Sequence, residues 1–275
     1  MYSRRSSRSG GSPIGRLLIA GAVVVISLIS YFGSQSTNPV TQEVQHVDMT
    51  PDQEIAMGIQ AAPEVASQFG GLDSSQSDQQ RVKQIGQQIV ASSAASRTPY
   101  QFEFHLLADP ETINAFALPG GQIFITRALY DRLPSDGELA GVLGHEAAHV
   151  VARHSAEQIA KAKLTQGLTG AAVIAACDPY SQSGACVGTA QMAALVGQLI
   201  NMKYGREDEL ESDYLGVCFM NDAGYNPQDL MRVMEVLASA QSGQAPPEFL
   251  STHPNPGNRM EQIQYNIQNI DQCPR

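Results

Sequence analysis

Residues 141–154 read GVLGHEAAHVVARH and hold three of the six histidines in a chain of 275 residues. Four residues separate His145 from His149, a spacing that brings two side chains to one face of an α-helix, one turn apart. Glu146 follows His145 directly. The pattern is H-E-x-x-H, whose imidazoles suit a zinc ion and whose glutamate suits proton transfer. The competing reading is a helix with two solvated histidines, and a third ligand decides between them. One continuation needs a glycine and a histidine where Ala152 and Ser155 stand, and another needs a glutamate within 160–180, which has none. Sixty residues after His149, in REDELESDYLG (206–216), Glu209 and Asp213 again lie four apart. Glu209 is the candidate third ligand. Asp213 can take the free N–H of a ligating imidazole and fix its tautomer. Glu207, Asp208 and Glu211 read as a solvated acidic helix end, and His154, well round the helix from His149, as a poor ligand.

The elements that must position these residues are legible in the pattern of the body. Thr50-Pro51-Asp52 starts a helix running to about Ser67, with Thr50 as cap and Pro51 at the first helical position. A second helix is expected over 77–93, with Val82, Ile85, Ile89 and Val90 as its apolar stripe. The period then changes to two: FEFHLLA (102–108) is a strand, and INAFALP and GQIFITRAL are joined by a hairpin-like turn at Pro119-Gly120-Gly121. His105 falls in this sheet and reads as structural. From Ser135 or Asp136 the chain is helical through the motif to about residue 163. Further helices are expected at 188–203, 206–223, 227–241 and 257–270, with a long Pro/Gly loop over 241–258. The fold class is α+β and mostly helical, with a small sheet laid beside the motif helix.

The two ends of the chain differ electrically. The first 42 residues contain no acid but have Arg4, Arg5, Arg8 and Arg16, so the formal charge of −10 leaves about −14 on the rest. Such an acidic body argues against nucleic acid as a partner. After Arg16, LLIAGAVVVISLISYF (17–32) is uncharged and almost wholly apolar. It reads as an uncleaved anchor extending to residue 33, with a cleaved signal segment as the alternative. Either way the arginines hold the N-terminus inside and send the body out, which in a bacterium means the periplasm. The expected organisation is a basic cytoplasmic tail (1–16), a transmembrane or signal segment (17–33), a polar linker (34–49) and one domain (50–275). Four cysteines suit an oxidising compartment and allow three pairings, of which Cys177–Cys186 with Cys218–Cys273 is one.

Together these segments resemble the zinc metallopeptidases of family M48, the group of HtpX-like, BepA-like and CAAX-prenyl-protease-like enzymes. The resemblance covers about 50–270. It rests on NAFALPGGQIFITRAL (114–129), GVLGHEAAHVVARH, REDELESD and STHPNPGNRMEQI. The second acidic motif ends in Glu-x-Glu-Ala-Asp in the family, and this chain has Ser212 at the alanine. A single apolar span and no helical-repeat tail place the nearest likeness with short bacterial envelope members.

The resemblance implies a zinc-dependent endopeptidase of the zincin type, with one zinc per chain on His145, His149 and Glu209. Its substrates would be misfolded or membrane-associated envelope proteins, and its setting the inner membrane with the domain in the periplasm. Glu146 is expected to take a proton from the attacking water and pass it to the leaving amine. A second donor to the oxyanion is expected from His253 or Arg206. Asn114, Ala115, Phe116, Ala117 and Leu118 are expected to offer a strand edge to an extended substrate. His253 has three readings: it packs the closing loop, fills the open metal position until substrate enters, or donates to the oxyanion. The alternative class is an envelope chaperone or binding protein whose zinc site is structural or regulated.

Overall fold

The computed structural model describes residues 13–176, 199, 202–240, 248–253 and 257–274. Cys177, Cys186, most of the helix expected over 188–203 and the arginines at 4, 5 and 8 lie outside those residues.

Helix α1 (Pro13–Gly33) carries the apolar run, and its large side chains are mostly exposed: Leu18 is 70% and Ile26 66% accessible. Among the described residues it is the helix long and apolar enough to cross a membrane. Residues 34–49, expected as a polar linker, are instead built into the fold. Strands β1 (Gln35–Thr37) and β2 (Val44–His46) form an antiparallel hairpin, and its polar residues explain why it is held. Asn38 and Gln45 are buried, and their amides donate to the carbonyls of Val151 and Ala152. Those carbonyls end the motif helix, where no intrahelical donor remains.

Helix α2 (Pro51–Gln68) starts with the expected Thr50 cap, completed by Gln53 into a capping box. Helix α3 (Gln76–Ser92) buries Val82, Ile85 and Ile89. Strands β3 (Glu103–Leu107), β4 (Ala115–Ala117) and β5 (Gln122–Thr126) make one sheet in the order β3-β5-β4. β3 runs parallel to β5 and β4 antiparallel to it, so the expected hairpin forms and leaves β4 at the edge. The turn needs its glycines: Gly120 has φ +81°, and a Cβ there would meet Ile55 Cα at 2.3 Å. Both faces of the sheet are covered. Ile123 and Ile125 pack into the core shared with α3, while Phe116, Leu118 and Phe124 pack with Val65 of α2 and with Phe69, which caps its end.

After the short α4 (Arg127–Tyr130), α5 (Asp136–Val151) begins on a Ser135–Glu138 capping box. The sequence reads as one helix through residue 163, but the chain turns at Arg153, whose φ is +63°, and α6 (His154–Ala176) starts afresh. Tertiary contact compensates for that unfavoured backbone. The Arg153 guanidinium pairs with buried Glu54 and donates to Met49 O at 2.7 Å. Helices α7 (Arg206–Asp222), α8 (Gln228–Ala240), α9 (Glu248–Thr252) and α10 (Arg259–Gln268) close the domain. A disulfide joins Cys218 of α7 to Cys273.

Candidate metal centre

Every residue of α5 from Gly137 to Val151 is buried, so its polar side chains have no water to turn to. Helix α7 crosses it closely because glycines meet: a Cβ on Gly216 would lie 3.4 Å from His145 N, and one on Gly144 would lie 3.6 Å from Gly216 O. That approach sets Glu209, two turns earlier on α7, against both histidines of α5. The end of α9 adds His253 from a third direction.

Four donors converge. His145 Nε2 lies 3.1 Å from His149 Nε2, 3.4 Å from His253 Nδ1 and 3.6 Å from Glu209 Oε2. Glu209 Oε1 lies 3.0 Å from His253 Nδ1 and 3.5 Å from His149 Nε2. Donors at 2.0–2.2 Å from a tetrahedral zinc sit about 3.3–3.6 Å apart, and the separations here, 3.0–3.6 Å, lie at or slightly inside that range. Charge agrees with geometry. Glu146, Glu209 and Asp213 are wholly buried around one guanidinium, that of Arg259. With neutral imidazoles this leaves two negative charges uncompensated in the interior, which a divalent cation would balance. The residues present therefore fit a metal ion.

The surroundings hold the donors in place. Asp213 Oδ1 lies 3.1 Å from His145 Nδ1, and Arg259 forks Asp213 with two bonds of 2.7 Å. Burial would raise the Asp213 carboxyl, but Arg259 and His145 hold it below its ordinary value. Arg259 Nη1 also comes within 3.0 Å of Glu209 Oε2. On the other side, His149 Nδ1 is 2.9 Å from His154 Nδ1, and His154 Nε2 is 3.0 Å from Glu211 Oε2. Ser212 Oγ lies 3.3 Å from His154 Nδ1, and the Tyr204 ring stacks on His149 with centroids 4.0 Å apart.

Glu146 is different in kind. Neither of its carboxylate oxygens has a hydrogen-bond partner among the described residues, and His253 Nε2 stands 3.6 Å from Oε1. Burial raises its carboxyl above the ordinary range, as suits a group that takes and returns a proton.

The structure thus gathers His145, Glu146, His149, Glu209, Asp213 and His253. It does not gather Arg206, which stands exposed at the start of α7 and donates to Asn258 Oδ1 at 2.7 Å. Helical side chains lean toward the helix N-terminus, so that of the first residue projects off the end of α7 and away from Glu209, a turn further in. The buried arginine is Arg259, which stands within the STHPNPGNRMEQI segment but has no spacing signal of its own. Glu211 differs from its reading as a solvated acid, since it pairs with His154, while His154 stays out of the donor set as expected but stands behind His149. The break at Arg153 redirects His154 toward His149, which no continuous helix would do. Asn114, Ala115, Phe116, Ala117 and Leu118 lie on and beside the edge strand with their side chains buried. The Asn114 amide has no partner among the described residues, and Phe249 N donates to Ile113 O at 3.1 Å where the edge begins.

The profile of Peptidase family M48 matches residues 76–267. The chain belongs to this family. The mitochondrial metalloendopeptidase OMA1 of Schizosaccharomyces pombe is 32% identical over 260 residues, 90% of this chain and 70% of that protein. The beta-barrel assembly-enhancing protease of Escherichia coli is 32% identical over 192 residues, 66% of this chain but 37% of its own length. OMA1 of Saccharomyces cerevisiae is 35% identical over 169 residues, 59% of this chain and 46% of that protein. The M48 match contains every buried residue of the centre, and the chain is a metallopeptidase with a mostly helical domain, a small sheet and an N-terminal apolar helix.

Proposed function

We propose that this M48 peptidase is a zinc-dependent endopeptidase acting on envelope proteins in quality control, anchored in a bacterial inner membrane by residues 17–33 with its domain (50–275) in the periplasm. The observation that carries the reading is the set of four donors at tetrahedral spacing with an unpartnered glutamate beside them. His145, His149 and Glu209 hold the metal, and Asp213 orients His145. When bound, zinc supplies Lewis acidity to a water and to the peptide carbonyl. Glu146 takes the proton of the attacking water and returns it to the leaving amine. An extended substrate adds along the β4 edge beside Asn114, which requires the 248–253 segment to withdraw from Ile113. His253 moves with that segment, and once displaced it is the donor available to the oxyanion.

His253 also favours a second reading, because a fourth protein ligand is the mark of a closed, structural zinc. The presence of Glu146, which is no donor to the metal, supports a closed state of an enzyme over a purely structural site. A cleaved signal segment, releasing the domain to the periplasm, is the alternative address. The test is Glu146→Gln in the full chain: zinc content unchanged, and casein cleavage down at least about a hundredfold. Equal cleavage by the variant would overturn the mechanism. In parallel, His253→Ala should raise turnover if the residue plugs the site and lower it if it serves the oxyanion.

A further inference from the structure

The membrane reading gives α1 one role, a tether. Helix α6 shows more. Past Lys163 the sequence changes character: from Leu164 to Met202 the one charged residue is Asp178. Lys163 itself pairs with Asp48 at 2.8 Å, and Ala160, Lys163 and Leu164 share a small cavity with Ser30, Tyr31 and Ser34, where α1 ends. One turn further along α6, Gly167 lies against Ser27 so closely that a Cβ would stand 2.1 Å from the serine Oγ. The contact therefore moves backward along α1 as it moves forward along α6, and the two helices run antiparallel. Close approach through Gly and Ser is how helices associate where no hydrophobic effect drives them together.

The chemistry of α6 suits the same surroundings as α1. Thr165 Oγ donates to Lys161 O and Thr169 Oγ to Thr165 O, so both hydroxyls are satisfied within the helix. Ala171, four residues after Gly167, is buried, while Leu168 and Ala172 on the outer side are exposed. Ala176 lies nine residues beyond Gly167, about 13 Å further along the helix, which brings it level with the first turns of α1. Gln166 is the one strongly polar exposed side chain of the stretch, and it sits within a turn of Lys163, where the headgroups would be.

We propose that residues 164–176 of α6 lie inside the bilayer beside α1, seating the peptidase domain on the membrane with two helices. The inference rests on α1 being a membrane anchor. Because α6 comes after α5 across a two-residue turn pinned by Arg153, the seat fixes the height and tilt of the metal helix relative to the lipid. Substrates would then be cut close to the membrane surface.

The chain has no tryptophan, so single replacements act as sole reporters. Leu168→Trp, Ala172→Trp, Ile26→Trp on α1 and Leu72→Trp on the exposed body would each be reconstituted as full chains. The vesicles would be phosphatidylcholine–phosphatidylglycerol with brominated acyl chains. We expect Leu168→Trp and Ala172→Trp to be quenched as strongly as Ile26→Trp, and Leu72→Trp not to be. Quenching of Ile26→Trp without that of the two α6 reporters would overturn the proposal and leave the anchor intact. No quenching at Ile26→Trp would overturn the anchor reading, and the two-helix seat with it.

Discussion

At the scale of single residues, the centre is organised by what each donor's far side touches. An imidazole that binds a cation through Nε2 must carry its proton on Nδ1, so His149 donates to His154 Nδ1 and His154 Nε2–H donates to Glu211. Ser212 adds a hydroxyl to the same nitrogen. His154 is therefore a positioning residue. His154→Phe should lower zinc affinity by about 10–100-fold, the usual loss when such an outer partner goes, while Glu146 remains in place. Competition against a chromophoric chelator measures it, and unchanged affinity would make His154 a packing residue only.

At the scale of elements, two junctions invite measurement. The hairpin of β1 and β2 caps α5 through Asn38 and Gln45, so each amide relieves a carbonyl that has no other donor. Asn38→Ala should cost about 1–3 kcal/mol in urea unfolding, because a buried acceptor is stranded. Amide exchange should quicken in the last turn of α5 and leave α8 unchanged. The second junction joins the loop before α3, α3 itself and the end of the sheet. Arg127 binds Asp73 at 2.7 Å and Asp78 at 2.9 Å. Its hydrogen bonds outweigh burial and hold the Asp73 carboxyl below its ordinary value. A depressed folded-state pKa gives stability that is present above the unfolded value and lost as pH falls through the folded one. Asp73→Asn should therefore be less stable than the native chain at pH 7, and the difference should shrink below about pH 4. A gap that persists at pH 2 would point to packing instead of charge.

At the scale of the whole molecule, the chain returns on itself to complete the centre. Glu209 comes from α7, His253 from the end of α9 and Arg259 from α10, and the Cys218–Cys273 bridge ties the last segment to α7. The bridge spans 55 residues, so chain-entropy reasoning assigns it up to about 4 kcal/mol. Replacing both cysteines with serine should lower unfolding stability by up to that amount. It should also weaken zinc retention, since α10 carries the guanidinium that steadies Asp213 and Glu209. Equal stability of the two forms would show that packing alone holds the C-terminal segment.

Local rules account for what the sequence determined by itself. H-E-x-x-H and the Glu209–Asp213 pair are one-turn spacings, the Thr50 and Ser135 caps are contacts three residues long, and the Gly120–Gly121 turn comes from backbone sterics. The apolar run of α1 is likewise a matter of composition. Tertiary structure decided whatever depends on direction in space. Arg153 adopts a left-handed backbone because Glu54, a hundred residues earlier, receives its guanidinium, and only that break turns His154 toward His149. Residues 34–49 look polar and unstructured because their amides serve carbonyls more than a hundred residues away. Arg259 has no periodic partner in the sequence, and its meaning depends on two carboxylates that α7 brings to it. The run from Leu164 lies past the helix end expected near residue 163, and it gains its meaning only where α1 lies beside it. In each case the deciding partner is distant in the chain, and pattern within a short window carries no information about it.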